Sequence, residues 1–280
     1  MFVSYDNESI SYAFRKKDIN VSQEVLKGLK VSFLDVGQAD SILVQVDKEN
    51  MLIDAGNNND GKNLVSYLKS QNINSFNYVF GTHAHEDHIG GLDDVIDSFD
   101  INHFYMPDVA TTTKTFEDVL NALEVKSVAF ETPNINDKLK LGDALIEVIY
   151  VGKDEKNLNN DSIVLRLDYK NISLLFMGDL EMDVEKELLD KNIDVDILKV
   201  GHHGSNTSSS NEFLDKVSPN YAIISVGKYN SYKHPSDNIL KRLSDKGVEI
   251  FRTDEKGSII LTSDGESINF SSLITSIDGG

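Results

Sequence analysis

The stretch Thr82-His83-Ala84-His85-Glu86-Asp87-His88 follows a short apolar run, Tyr78–Gly81, and holds three of the chain's 7 histidines. On an extended segment, a His-x-His pattern points both rings to the same side, so both can bind one ion. Asp87 and His88 come next and can reach a second position. Neutral imidazole and carboxylate are the usual ligands of zinc and other divalent first-row ions when no thiolate is available. The stretch therefore predicts a metal site at the end of a β-strand.

Short apolar runs on both sides of this stretch alternate with segments of helical spacing. Strands are predicted at Val31–Val36, Ile42–Val46, Met51–Asp54, Tyr78–Gly81, His103–Met106, Val125–Phe130, Ala144–Val151, Ile163–Tyr169, Ile172–Met177, Val195–Val200, Tyr221–Val226, Val248–Arg252, Ser258–Thr262 and Ser267–Phe270. Helices are predicted at Gly61–Gln71, Leu92–Phe99, Phe116–Leu123, Val184–Lys191, Asn211–Val217 and Asn238–Ser244.

Paired strands followed by strand–helix units occur in both halves of the chain. This order predicts an α/β fold, an αββα sandwich of two mixed β-sheets with helices on the outer faces. We predict one domain over residues 29–280 and an N-terminal extension over 1–28, which is polar and without clear periodicity.

Composition excludes several classes of protein. The 280 residues include no cysteine, which excludes a disulfide scaffold, a thiol nucleophile and a thiolate metal site. The formal net charge of −19 argues against binding to long duplex DNA or to anionic lipid. No run approaches the ~18 apolar residues of a spanning helix, and the N-terminus lacks the apolar core of a signal peptide. We therefore expect a cytoplasmic protein with no membrane partner. The sequence leaves an exported form and the oligomeric state open.

Six pieces of the chain together resemble a known family. They are Phe33–Ser41, Leu52–Gly56, Thr82–Gly91, Phe176–Asp179, Lys199–Ser205 and His234–Ser236. The His-x-His-x-Asp-His pattern resembles the signature of the metallo-β-lactamase superfamily. The Val-Gly-Gln-x-Asp-Ser and His-His-Gly-Ser pieces are most similar to the corresponding domain of ComEC/Rec2 competence proteins and their standalone hydrolase relatives.

The resemblance implies two divalent metal ions, Zn²⁺ or Mn²⁺, as cofactors. The positions that match its ligands, from the first site to the second, are His83, His85, Asp87, His88, Asp179 and His202. Asp179 matches the carboxylate that bridges both ions, and His202 matches a second-site histidine. A shared carboxylate lowers the repulsion between two cations that lie ~3.5–4 Å apart.

One first-site position departs from the family's pattern. Many members carry another histidine between the metal loop and the Gly-Asp motif, where this chain has His103, which we interpret as structural. At the expected place it has Asn157–Ser162 instead, which is similar to the ComEC-like branch. Asn159, Asn160 and Asp161 are candidate oxygen ligands, and a plain polar turn fits equally well. Fewer nitrogen ligands favour a harder ion such as manganese.

Further side chains are candidates for roles beside the ions. We predict catalytic roles for Asp87, which orients water or takes its proton, and for His234, which assists the leaving group or contacts phosphate. His203 is a catalytic candidate or a brace for His202. Gln38, Asp40 and Ser41 resemble the family's site-flanking turn. Asp54 is interpreted as a buttress of the metal loop.

The resemblance implies a binuclear metal-dependent hydrolase, most simply a phosphodiesterase or nuclease that uses metal-bound hydroxide. The acidic surface suits a single strand, a nucleotide or a cell-wall phosphodiester better than a long duplex. The alternative is a carboxyl-ester, lactone or thioester hydrolase on the same scaffold. A di-iron redox enzyme is disfavoured because His85 stands where such members have Glu, and a non-catalytic binding module is disfavoured by the complete ligand set.

Overall fold

The computed structural model describes residues 28–153, 156–273 and 277. The strands of this part are β1 Leu29–Phe33, β2 Ile42–Val46, β3 Glu49–Ile53, β4 Ser75–Phe80, β5 Asp100–Tyr105, β6 Phe130–Glu131, β7 Lys138–Leu141, β8 Ala144–Val151, β9 Ile163–Tyr169, β10 Ile172–Phe176, β11 Ile197–Lys199, β12 Tyr221–Ile224, β13 Glu249–Arg252, β14 Ser258–Ser263 and β15 Ile268–Leu273. The predicted extension at 1–28 lies outside the described residues except for Gly28, so that boundary stays a prediction.

The helices lie mainly between strands of the same sheet. They are α1 Gly61–Ser70, α2 Glu86–Ile89, α3 Leu92–Ser98, α4 Lys114–Lys126, α5 Met182–Glu185, α6 Asn211–Val217, α7 Asp237–Asp245 and α8 Thr253–Lys256. Short 3₁₀ turns occupy Leu158–Asp161, Lys186–Leu188 and His202–Gly204. Each of the described helices is too short or too polar to cross a bilayer.

Two sheets pack face to face and both are mixed. The first has the order β15-β14-β1-β2-β3-β4-β5-β6, antiparallel as far as β3 and parallel from there to β6. The second has the order β13-β12-β11-β10-β9-β8-β7, parallel from β13 to β10 and antiparallel beyond. The predicted sandwich of two mixed sheets with outer helices is confirmed.

The hydrophobic core has three layers because each sheet is buried on both faces. Between the sheets, Phe33 of β1 meets Phe176 of β10 with ring centroids 6.4 Å apart. A second layer lies between the first sheet and α1, α3 and α4, and a third between the second sheet and α6 and α7. α1 buries Leu64, Val65 and Leu68, the residues whose spacing predicts it.

The predicted strand Val125–Phe130 is wrong. α4 continues through this region to Lys126 and ends where Ser127 adopts a left-handed conformation, with φ 57°. The β-branched side chain of Val125 favoured a strand in the prediction. In the structure Val125 lies on the solvent side of α4 and is 79 % exposed. The strand that follows, β6, has only two residues. β7 was missed, although its Lys-Leu-Lys-Leu alternation is typical of an edge strand.

Phe33→Ala should lower the free energy of unfolding by about 3–5 kcal/mol, because it opens a cavity between the two sheets. The urea midpoint should fall with little change in the m-value. Val125→Ala is the control and should shift stability by no more than about 0.5 kcal/mol. Equal midpoints for the two variants would contradict this assignment of the core.

Candidate metal centre

Side chains from both sheets meet at one end of the sandwich, around the carboxylate of Asp179. Asp179 follows β10 and is 2 % exposed. The Nε2 atoms of four histidines surround its oxygens, at 3.3 Å for His88, 3.6 Å for His203, 3.8 Å for His202 and 4.0 Å for His83. The histidines that follow β4 and β11 thus converge on the carboxylate that follows β10.

The histidine loop, Thr82–His88, leaves the end of β4 in an extended conformation and then enters α2. His83 Nε2 lies 3.0 Å from His85 Nδ1, so the two rings face one position. His85 is the last extended residue before α2, with φ −85° and ψ 150°. The helical turn then carries Asp87 and His88, and His88 Nε2 lies 3.3 Å from Asp179 Oδ1. The assignment of these ligands to two ions stays a prediction.

Asp54 holds the histidine loop in place from behind. Its carboxylate accepts hydrogen bonds from the Thr82 backbone N–H and the Thr82 hydroxyl, both at 2.7 Å. It also lies 2.7 Å from His88 Nδ1. A carboxylate on one ring nitrogen fixes the orientation of the imidazole and leaves the other nitrogen free for a ligand. The contacts of Asp54 fit the interpretation as a buttress.

Asp40 and Lys199 form a buried ion pair behind His203. Lys199 Nζ lies 2.7 Å from Asp40 Oδ2, and each side chain is at most 2 % exposed. The other oxygen of Asp40 is 3.5 Å from His203 Nδ1, which also lies 3.0 Å from the Ser225 carbonyl oxygen. Sequence reasoning named Asp40 but missed Lys199. The signal was a lone lysine within the apolar strand Ile-Leu-Lys-Val.

Four residues form a compact set of ligand atoms. One atom each from Asp87, His88, Asp179 and His203 lies within 4.8 Å of the others. His88 Nε2, Asp179 Oδ1 and His203 Nε2 are buried and complete no hydrogen bond within the described part of the chain. Buried polar atoms normally have a hydrogen-bond or metal partner, so these atoms are available to bind a cation. The residues fit a divalent ion with nitrogen and oxygen ligands.

The charge balance of this set also favours a cation. Burial lowers the pKa of His203, but the carboxylates of Asp179 and Asp40 outweigh burial and raise it to about 10. Burial likewise opposes charge on His88, whose pKa Asp179 and Asp54 raise well above its usual value. The site thus attracts positive charge, which a bound ion would supply in place of the protons.

His202 lies at the rim of the site. Its side chain is 22 % exposed, and its Nδ1 lies 3.2 Å from the Thr207 hydroxyl and 3.3 Å from Glu181 Oε1. Glu181 also accepts hydrogen bonds from Thr207 Oγ1 at 2.7 Å and from Asn157 Nδ2 at 2.8 Å. Sequence reasoning missed Glu181, which lies two residues after Asp179.

The polar turn before β9 contributes one side chain to the site. Asn159 lines the cavity beside the histidines. Asn160 instead accepts a hydrogen bond from the Glu181 backbone N–H at 3.2 Å, and Asp161 is fully buried. Ser162 Oγ accepts from the Asp179 backbone N–H at 2.9 Å. Most of this turn therefore supports the loop that carries Asp179.

A cavity of about 260 Å³ opens over these residues. It is lined by Gln38, His85, Glu86, Asp87, Asn159, Asp179, His202, His203, Tyr232 and His234. His234 follows β12, and its ring lies 5.6 Å from that of His202. Burial and the neighbouring charges of His202 and His203 lower the pKa of His234 to about 4. A larger cavity of about 610 Å³, near Gly28 and Lys170, contains none of the histidines.

His103 lies apart from the site. It is exposed on β5, where its Nδ1 is 2.9 Å from Glu131 Oε1 and its ring stacks with Tyr78 and Tyr105. These contacts fit the interpretation of His103 as structural.

The sequence over residues 34–228 matches the family described as Metallo-beta-lactamase superfamily. This chain belongs to that superfamily. It is 32 % identical to ComE operon protein 3 of Bacillus subtilis (strain 168) over 251 residues, which cover 82 % of this chain and 32 % of the relative. It is 30 % identical to Competence protein ComA of Neisseria gonorrhoeae over 237 residues, which cover 82 % of this chain and 31 % of the relative. The chain thus spans about a third of the length of these relatives.

Two solved structures share the fold of this chain. The metallo-beta-lactamase fold protein YhfI from Bacillus subtilis aligns with a TM-score of 0.59 and 12 % identity, over 85 % of this chain and 100 % of that one. CmlA, a diiron beta-hydroxylase from Streptomyces venezuelae, aligns with a TM-score of 0.58 and 12 % identity, over 85 % of this chain and 55 % of that one. At this identity the likeness concerns the fold alone.

Asp54→Asn should weaken binding of Mn²⁺ or Zn²⁺ by about 10- to 100-fold, because the amide cannot accept from Thr82 and orient His88 as the carboxylate does. Isothermal titration calorimetry measures the affinity directly. Asp97→Asn, at an exposed position of α3, is the matched control and should bind the ion like the wild type. Unchanged affinity in Asp54→Asn would show that Asp54 does not position His88.

Proposed function

We propose that this protein is a binuclear metal-dependent phosphodiesterase with nuclease-type activity. The observation that carries the proposal is the convergence of four imidazoles on Asp179, at the floor of an open cavity. Two divalent ions, when bound, supply Lewis-acid activation of water and neutralise charge on a phosphate.

We assign the first ion to His83 and His85 and the second to Asp87, His88 and His203, with Asp179 as the bridge. This assignment exchanges the predicted roles of His202 and His203. His203 Nε2 lies 3.4 Å from Asp87 Oδ2, is buried and has no hydrogen-bond partner in the described part, as expected of a ligand. His202 is held at the rim by Thr207, where its Nε2 can contact a substrate.

The first ion then has two imidazoles rather than three. Asp179 and the Asn159 side chain, which lines the cavity, offer oxygen atoms beside them. An oxygen-rich set favours a harder ion, so we propose Mn²⁺ ahead of Zn²⁺ for this position.

Two side chains are proposed to act on the substrate. Burial raises the pKa of Asp87, but the His203 ring, 3.4 Å away, and the charge of His88 lower it to about 2, so Asp87 is an ionised acceptor that can orient water. His234, with a pKa of about 4, is neutral near pH 7. A neutral ring keeps one N–H, so His234 assists by donating a hydrogen bond to a phosphate oxygen rather than by releasing a proton.

Nucleic acid is the proposed substrate. One relative is named Competence protein ComA, and another, 26 % identical over 222 residues, is Recombination protein 2 of Haemophilus influenzae. The net charge of −19 disfavours a long duplex, since such an enzyme would need a basic track. We therefore propose a single strand rather than a duplex.

Purified protein should hydrolyse a single-stranded oligonucleotide and bis-p-nitrophenyl phosphate, fastest with Mn²⁺ among Mn²⁺, Zn²⁺ and Mg²⁺. His85→Ala should lower this activity by at least about 100-fold. Mutation of residues that only support metal ligands already lowers activity or metal affinity by about 10- to 100-fold. His103→Ala is the matched control and should keep the activity. Hydrolysis of lactones or thioesters with inert phosphodiesters would favour the carboxyl-ester alternative. Absence of both activities and of bound metal would favour a binding module.

Metal analysis of two adjacent variants tests the ligand assignment. His203→Ala should lose about one of two ions, because its ring completes the second site. His202→Ala should retain both ions and lose turnover. Inductively coupled plasma mass spectrometry gives the metal content of each variant. Loss of an ion from His202→Ala alone would restore the assignment predicted from the sequence.

A further inference from the structure

The loop of residues 227–234, here called the rim loop, borders the cavity through Tyr232 and His234 and places two tyrosines in solvent. Its sequence is Gly-Lys-Tyr-Asn-Ser-Tyr-Lys-His. Tyr229 is 92 % exposed and Tyr232 is 68 % exposed. Single exposed apolar residues are common. Two exposed aromatic rings on one short loop that borders the cavity offer apolar surface to another molecule.

The rim loop is held in a fixed shape that keeps these rings outside. The Asn230 amide donates to the carbonyl oxygens of Gly227 at 2.9 Å and His234 at 2.7 Å, and its oxygen accepts from the His234 N–H at 3.0 Å. Tyr229 and Lys233 both have φ 61°, a left-handed conformation that is unfavourable for large side chains. Such strain persists where surrounding contacts enforce it and often marks a functional site.

Tyr232 continues the cavity outward. The Tyr232 ring lies 5.7 Å from the His234 ring at an interplanar angle of 27°, and both residues line the cavity with Asp87 and Asp179. One face of Tyr232 is therefore covered by His234, while the side chain as a whole remains mostly exposed. A flat ring can extend this stack.

Positive charge accompanies the rings. Lys228 Nζ lies 5.4 Å from the centre of the Tyr229 ring, and Lys228 and Lys233 are both exposed. In a chain with a net charge of −19, two lysines that flank two tyrosines form a local attraction for an anion. Planar rings joined by phosphates are the ligand that both features match.

We propose that the rim loop is a stacking platform for the bases of single-stranded nucleic acid. Tyr232 stacks with the base next to the phosphate in the cavity, Tyr229 stacks with the next base outward, and Lys228 and Lys233 contact the intervening phosphates. The platform rests on the proposed function, since it delivers a strand to the candidate metal centre. Bases of a duplex are already stacked on each other, so the platform selects single strands.

Fluorescence anisotropy of the full chain with a labelled eight-nucleotide oligothymidylate tests the platform against an abasic deoxyribose-phosphate strand of equal length. The wild type should bind the oligothymidylate at least about tenfold more tightly, given the contribution of each stacked base. Tyr229→Ala/Tyr232→Ala should lose this preference, and Tyr229→Phe/Tyr232→Phe should keep it because phenylalanine also stacks. A gel checks that the strand is intact after each titration.

Equal affinity of the wild type for both strands, or a preference that survives the double alanine variant, would overturn the platform. Tyrosine-dependent binding of a base-free glycerol-phosphate or ribitol-phosphate polymer, with no preference for oligothymidylate, would replace it with a cell-wall ligand. Failure of the proposed function is a separate result. In that case no phosphodiester is hydrolysed with any ion, while the tyrosine-dependent preference for bases remains.

Discussion

The buried ion pair between Asp40 and Lys199 joins the two sheets at the end where the histidines converge. Asp40 follows β1 of the first sheet and Lys199 ends β11 of the second. The Asp40 backbone N–H donates to the Asp87 carbonyl oxygen at 3.0 Å, and its carbonyl oxygen accepts from the Gly56 N–H at 2.9 Å. An unpaired buried charge costs about 3–5 kcal/mol, so neither partner can leave without disturbing the other sheet. The relative position of the loops around Asp179 depends on this pair.

Two of the histidines at this end, His88 and His203, share one arrangement. His88 faces Asp54 with Nδ1 and Asp179 with Nε2. His203 faces the Ser225 carbonyl oxygen with Nδ1 and Asp179 with Nε2. Because one nitrogen is held from behind, the other is directed before any ligand arrives. Folding therefore orients these rings before a ligand binds, and the free nitrogen of each ring points to Asp179.

Features that depend on neighbouring residues could be predicted from the sequence. Features that depend on long-range contacts or on the backbone conformation of single residues could not. The spacing within Thr82–His88 predicted the histidine loop because its geometry depends on neighbouring residues and the preceding strand. The partner of Lys199 lies 159 residues away, which no pattern in one sequence reveals. His202 and His203 are adjacent and chemically identical. Both adopt φ 49°, and this turn of the backbone, rather than residue type, sends His203 inward and His202 to the rim.

The groups around Asp179 come from loops of both sheets, and this has a consequence for the lifetime of the protein. An ion bound between them would act as a non-covalent crosslink that exists only in the folded chain. Mass action then stabilises the folded state by about 2.7 kcal/mol when the free ion is at one hundred times its dissociation constant. The cellular supply of the ion would then govern how much folded protein persists, and starvation for metal would lower the amount of the protein itself.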